Sequence, residues 1–422
     1  MFTSFSTALS ALSADSTAID VVGNNLANMN TPGFKTSQVE FRDLVTQSLG
    51  AGLGDTQVGF GTGTPLTVRE FTQGAIQTSG GVLDAAIQGD GFFVVQDPSS
   101  GNTQYTRAGN FSTDSSGNLM TDTGAYVQGW TTLDPTTGAV DTNGPVGNIV
   151  VPVGSLKAPT ATSAMSVSLN LNSDSTADST SDFSTTVTAY DSLGTSHTLT
   201  VNFQNTGANQ WSYDVTVPGQ DVSGGTSGTP YDTGASGTLT FNSSGQLTDP
   251  PAGSPIPITV SGLSDGANDL NVSWSLYGAS GSGDITQFGQ PSQASASSQN
   301  GSPAAELDQV GLADGGQILA QYTDGTQVVV GQVALASIRN PSTLIATGNN
   351  NYQLSELTAT PSVGVPGTGG RGTIEGGSIE ASTVDIATEF TNLIVYQRAY
   401  EANAHVVTTA DTLSQDTINL IH

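Results

Sequence analysis

The sequence predicts a mainly β protein with terminal α-helices: a two-helix, coiled-coil-like inner domain plus two β-rich domains in an elongated, multi-domain subunit. Three observations carry that expectation. Gly and Pro almost vanish from the two ends, although the chain holds 52 Gly and 18 Pro. Apolar residues at the ends recur at gaps of three and four, whereas in the middle the period falls to two. At 422 residues, the chain also exceeds the roughly 250–300 residues at which single cores stop growing.

The first helix is read over residues 1–29, where Gly23 is the one glycine and Pro is absent. Phe2, Phe5, Leu9, Leu12, Ile19 and Leu26 form a stripe whose spacing fits a heptad seam, with Ser16 and Gly23 at its weak positions. Thr31-Pro32-Gly33 stops it. The second helix is read within Ser378–His422, a stretch free of Gly and Pro. Ser382 and Asp385 suggest a capping box, and Glu389 lies near the positive helix end. Ile386, Phe390, Leu393, Tyr396, Tyr400, Val407, Ala410, Leu413 and Leu420 form its apolar stripe. A helix of about 39 residues at ~1.5 Å each gives a rod of roughly 58 Å.

Between the helices lie strand signals. Gly91-Phe92-Phe93-Val94-Val95 is a short apolar run after a Gly-Asp-Gly turn, and Tyr105–Trp130 alternates around a hairpin-type break at Asp114–Asn118. Further runs cover 185–190, 197–203, 211–217, 238–241, 256–260, 270–276, 317–322, 327–335 and 352–354. Linkers are read at Gln47–Gly63, Gly278–Asn300 and Pro361–Gly377, and no fixed-period repeat is found.

Charge limits the function classes. Eight basic residues stand against 36 acidic ones, for a net charge of −28. Nucleic acid and an anionic membrane both demand clustered Lys and Arg, so neither nucleic acid nor a lipid bilayer is an expected partner. No segment reaches the ~20 apolar residues of a membrane span. The N-terminus lacks the basic and apolar regions of a cleavable signal, the first cation being Lys35. The turn-rich composition nonetheless suits an extracellular protein, so the chain either stays inside or leaves by a dedicated exporter. The chain has no cysteine, which excludes disulfides, thiolate metal sites and thiol nucleophiles.

A helix of about 27 residues with a narrow stripe is marginal in water and takes its stability from packing. The two terminal helices are natural partners, but a thin pair leaves apolar area uncovered. Packing of that area on identical copies, repeated without closure, gives a helical polymer. A monomer with a two-helix stalk is the plainer reading of the same pattern.

Four motifs sharpen the choice. Asn24-Asn25-Leu26-Ala27-Asn28 precedes Thr31-Pro32-Gly33-Phe34-Lys35. Gly89-Asp90-Gly91-Phe92-Phe93-Val94 is the second, and Tyr105-Thr106-Arg107-Ala108-Gly109-Asn110-Phe111 the third. The fourth joins Ile379-Glu380-Ala381-Ser382-Thr383-Val384-Asp385 to Gln397-Arg398-Ala399-Tyr400-Glu401-Ala402-Asn403-Ala404. In this order they resemble the flagellar rod and hook axial proteins. The long insert, with Tyr190-Asp191-Ser192-Leu193-Gly194, His197 and Leu239-Thr240-Phe241-Asn242, resembles the outer domain of the hook branch of that family. The resemblance is loose over 207–237 and 278–301.

The resemblance implies an inner helical domain from 1–30 with 379–422 and a connecting arm from 31–72 with 361–378. It implies a middle β domain from 73–165 with 300–360 and an outer β domain from 166–299. It also implies a homopolymer that forms a torque-transmitting universal joint. The expected partners are rod, hook cap and hook–filament junction proteins and the flagellar type III exporter. A distal rod subunit, shorter in the middle, and an unrelated β-rich surface adhesin are the alternatives.

Enzymatic readings are weak. His197, His405 and His422 are far apart in sequence with no HxxxH or HExxH spacing, so neither a catalytic triad nor a metal site is expected. Asp residues fall mostly in turns, which disfavours a glycosidase pair. Gly367-x-Gly369-x-x-Gly372 follows Pro366 in a linker rather than a strand, so no dinucleotide cofactor is expected. Arg107 and Arg398 stand out because cations are scarce, and Phe92 and Phe93 read as core.

Overall fold

The computed structural model describes residues 2–44, 47–48, 57–134, 137–177, 183–278 and 280–419, the side chains of 2, 3, 47, 48, 57 and 58 excepted. The chain divides into two compact units. The first comprises Met1–Val153, Gln309–Gln321 and Gln327–His422; the second comprises Gly154–Asp308 and Tyr322–Thr326.

In the first unit, helix α1 spans Phe2–Ala27 and helix α2 spans Ile386–Asn419. The second helix starts later than the capping box predicts. The Asp385 Oδ1 accepts the Thr388 N–H at 2.9 Å, so Asp385 is the cap. Upstream, Ser378–Glu380 is a strand paired with Ile76–Thr78. The helix therefore has 34 residues, roughly 51 Å at ~1.5 Å per residue. Among the described residues, no helix is long and apolar enough to cross a membrane.

The β body of this unit is organised around Phe92–Gln96, every residue of which but the last is buried. That strand pairs with Thr103–Thr106, Tyr126–Trp130 and Leu335–Ser337. Shorter pairs lead back toward the helices: 85–88 with 373–376, and 37–40 with 66–69. The expected run 327–335 is split into Gln327–Val333 and Leu335–Ser337.

The second unit is a β-sandwich. One sheet is an antiparallel meander of 183–190, 196–207, 210–218, 230–241 and 247–249. The other contains 256–260, 270–275, 164–172, 285–288 and 293–299. Alternate residues of both sheets face one core, where Trp211 and Trp274 are fully buried. Tyr213 meets Trp274 edge to face at 5.4 Å between ring centroids.

Two predicted linkers carry strands. Gly278–Asn300 holds Ile285–Phe288 and Gln293–Gln299, and Pro361–Gly377 holds Ser362–Gly364 and Thr373–Gly376. Gln293–Gln299 reads QASASSQ and exposes most of its side chains; its ladder to 164–172, not burial, makes it a strand. The sequence reading has no strand at Ala164–Asn172, although Met165, Val167, Leu169 and Leu171 point alternately inward. In the linker read at Gln47–Gly63, Gln47–Ser48 pairs with Gln57–Val58, and 49–56 lies outside the described residues.

Candidate assembly surface

The two helices run antiparallel, with polar rungs that fix their register. Near one end, Asn25 Nδ2 donates to Glu389 Oε1 at 3.0 Å; further along, Asn403 Nδ2 donates to Asp15 Oδ2 at 2.9 Å. The buried line on α1 is Ala8, Ala14, Ala18 and Val22, with Asp15 and Asn25. Its mean spacing is near 3.5, and its small side chains let the helices approach closely. The fully buried residues of α1 thus form an alanine-rich line, and none of them belongs to the Phe/Leu stripe read from the sequence.

Much of that stripe stands in solvent. Leu9 is 55% exposed, Phe390 52% and Leu413 54%. Phe5, Ile386 and Tyr400 are exposed too, while Leu12, Ile19, Leu26, Leu393 and Val407 are half-buried. Ile394, Val395, Val406 and Ile418 add to the exposed apolar area of α2. The side chain of Phe2 and the whole of Leu420 lie outside the described residues. Scattered exposed apolar residues are ordinary, but a helix lined with them along its length marks a surface made for a partner.

Below the helices the sequence motifs converge on one carboxylate, Glu380. Its Oε1 accepts from Lys35 Nζ at 2.6 Å and from the Gly74 N–H at 2.7 Å, and its Oε2 accepts from Arg107 Nη1 at 3.3 Å. Its backbone carbonyl accepts the Gly33 N–H at 2.7 Å. Lys35 also donates to the Thr72 carbonyl at 2.5 Å, and Arg107 to the Gly89 carbonyl at 2.9 Å. Burial pushes the Lys35 ammonium below its ordinary pKa, and the Glu380 carboxylate pulls the other way. The guanidinium of Arg107 lies 5.3 Å from the centre of the Phe92 ring, which packs with Phe71 and Tyr352. Sequence reasoning missed Glu380 as a site residue. The usable signal was that two scarce cations in motif positions need a buried counter-charge.

The remaining motif residues have separate places. Asn25 is buried; besides Glu389 it donates to the Ser37 carbonyl at 2.8 Å and accepts the Ser37 N–H at 3.1 Å. Asn28 Nδ2 bonds the Asn24 carbonyl at 2.9 Å. Gly33 has φ +68° and presses on the Arg107 backbone; Phe34 is buried. Gly91 has φ +139° at the entry to the strand of Phe92 and Phe93, both buried. Gln397 and Arg398 stand in solvent, Arg398 paired with Glu401 at 2.9 Å.

Beyond the first unit's charges, Asp191, His197 and Asp265 of the second unit bring their ligand-type atoms within 4.8 Å of one another. Both imidazole nitrogens already face carboxylates, at 3.0 Å to Asp191 and 3.1 Å to Asp221, an arrangement of ion pairs. His405 lies exposed on α2, and His422 is outside the described residues. The glycines 367, 369 and 372 form a turn closed by a bond from the Gly367 N–H to the Gly372 carbonyl. No helix follows it, so the phosphate-cradling geometry of a dinucleotide site is lacking there.

Family models match along most of the chain. They are those of the flagella basal body rod protein at 5–35 and the flagellar hook protein FlgE/F/G D1 domain at 86–170. The flagellar basal body protein FlaE D2 domain matches 162–302, and the flagellar basal body rod FlgEFG protein C-terminal model matches 375–420. Flagellar hook protein FlgE of Salmonella typhimurium is 32% identical over 430 residues, covering 99% of this chain and 100% of the relative. That of Treponema pallidum is 30% identical over 469 residues, covering both chains completely. The chain belongs to the flagellar hook protein FlgE family.

It is accordingly a structural subunit of the bacterial flagellar hook, and the full-length match to hook proteins sets aside the distal-rod and adhesin readings. A crystal structure of Helicobacter pylori flagellar hook protein FlgE2 shares the fold, with TM-score 0.50 and 14% identity over 71% of this chain and 99% of that one.

Proposed function

We propose that the subunit polymerises through its terminal helices, whose outward apolar residues pack on the same helices of neighbouring copies. The observation that carries this is the length of α2 along which Phe390, Ile394, Val395, Val406, Leu413 and Ile418 stand exposed while its own partner helix offers alanines. A head-to-tail contact of this kind repeats without closing and yields a tube.

In this reading, residues 1–30 with 379–422 form the inner domain and 31–72 with 361–378 the connecting arm. Residues 73–165 with 300–360 form the middle β domain, and 166–299 the outer one. The tube works as a curved universal joint passing torque from rod to filament. Its polar Gly-, Ser- and Thr-rich surfaces suit contacts that slide, because water replaces bonds as they break. The subunit leaves through the flagellar type III exporter. It meets rod, hook cap and hook–filament junction proteins.

Because the chain has no cysteine of its own, a Phe390→Cys variant reports directly on this surface. Its thiol is expected to react quickly with maleimide in monomers and to be protected in polymers. Equal labelling rates in both states would remove the helices from the contact.

A further inference from the structure

In the second unit the imidazole of His197 sits among three carboxylates. Nδ1 is 3.1 Å from Asp221 Oδ2, and Nε2 is 3.0 Å from Asp191 Oδ2 and 4.0 Å from Asp265 Oδ2. His197 and Asp191 are buried. Asp191 belongs to the turn between strands 183–190 and 196–207, and Asp221 to the short 3-10 turn Gly219–Asp221. Both flank the meander sheet. Asp265 lies in the turn between strands 256–260 and 270–275 of the facing sheet. Other bonds tie the same segments: Ser264 N–H to the Asp221 carbonyl at 2.9 Å, and Asn268 N–H to Ser192 Oγ at 3.0 Å.

A neutral imidazole offers one N–H and one lone pair, so it can satisfy a carboxylate on one side only. Here carboxylate oxygens stand within hydrogen-bond distance of both ring nitrogens. The imidazolium, donating from both, satisfies them together. Asp191 cannot swing away, because its Oδ1 accepts the N–H groups of Leu193 at 2.8 Å and Thr195 at 2.9 Å. Asp269, on the loop that carries Asp265, uses its carboxylate on the Gly262 N–H at 3.0 Å. Among the described residues, no Lys or Arg forms an ion pair with any of these aspartates. The histidine is the cation of this cluster.

We propose that His197 is a pH-operated clasp: as the imidazolium it fastens the turns of Asp191 and Asp221 at this end of the sandwich, the latter bonded to the Ser264 turn of the facing sheet, and on losing its proton it releases one carboxylate and loosens them. This goes beyond the polymerisation reading and does not depend on it. Burial opposes the charge on His197, but hydrogen bonds to Asp191 and Asp221 outweigh it and hold the pKa above the ordinary value. Burial also opposes the charge on Asp191. Its bonds to His197 and the backbone prevail and bring its pKa down to about 2. Since the folded value of His197 is raised, the clasp is whole below about pH 6.5 and fades as pH rises through that folded value. On the acid side Asp191, being depressed, keeps its contribution above about pH 4 and loses it as pH falls toward its folded value.

The test is a nitrogen-15 imidazole titration of the full-length monomer. His197 is expected to carry protons on both nitrogens at pH 6.5 and to titrate above the ordinary histidine value of about 6.5. Asp221→Asn, which removes one partner and keeps the fold's apolar core, is expected to lower the His197 midpoint by about one pH unit or more. Hydrogen exchange at 191–197 and 263–266 should quicken above the midpoint more than in the strand 210–218. A His197 neutral at pH 6.5, or a midpoint that Asp221→Asn does not move, would overturn the proposal.

Discussion

Lys35 Nζ lies 2.6 Å from Glu380 Oε1, and neither side chain is exposed at all. These residues stand at opposite ends of the sequence, so the ion pair joins the segment after α1 to the strand before α2. Arg107 brings the β body to the same carboxylate. Breaking a buried pair costs far more than the pair contributes net, because the partner is left charged and unsolvated. The cluster thus specifies how four chain segments meet.

Glu380→Ala leaves two buried cations without a counter-charge. The expected loss is about 3–5 kcal/mol in the first unit, read as an earlier urea transition for that unit, with the transition of the second unit unmoved. A loss below about 1 kcal/mol would mean the cations find other partners.

Gly33→Ala meets both a φ of +68° and the Arg107 carbonyl carbon, 2.5 Å from an added Cβ. Strain of this kind costs roughly 1–3 kcal/mol. Thermal unfolding should show the first unit destabilised, whereas Gly101→Ala, at φ +70° with open space around it, should cost less.

Glu389 offers a pH test of the helix pair. Burial raises its carboxyl above the ordinary value, Asp385 adds to this, and the bond from Asn25 opposes it. With a raised folded value, its contribution is whole below the ordinary carboxylate range and fades as pH climbs through the folded value. Glu389→Gln keeps an acceptor for Asn25 and removes the charge. Melting of the variant should match the parent near pH 4 and equal or exceed it at pH 7; a variant less stable at pH 7 would contradict this sign.

Trp274 is fully buried between the sheets of the second unit. Trp274→Ala should cost about 3–5 kcal/mol there. Calorimetry should show the first unit melting as before.

Much of this was legible from the sequence. The helices announced themselves by a near-absence of Gly and Pro, and strands such as 210–218 by strict alternation. Gln293–Gln299 did not, because its backbone ladder holds it and its Ser and Gln side chains carry no apolar signal. Glu380 stood in the fourth motif, but its role was hidden because it exists only where four distant segments converge. The partner of each stripe was hidden for another reason. Hydrophobicity reports that a side chain will be covered, not by which molecule, and Ala8, Ala14 and Ala18 were outshouted by Leu9 and Phe5. Net charge of −28 adds a further expectation: assembly should rise with salt as repulsion between copies is screened over a Debye length of about 10 Å at 0.1 M.

Coverage of the outward apolar residues of α1 and α2 by neighbouring copies is tested most directly by negative-stain microscopy of a Leu9→Asn, Phe390→Asn, Leu413→Asn variant whose circular dichroism and melting match the parent. The parent should grow tubes and the variant should remain as single particles; tubes from the variant in equal yield would contradict the account.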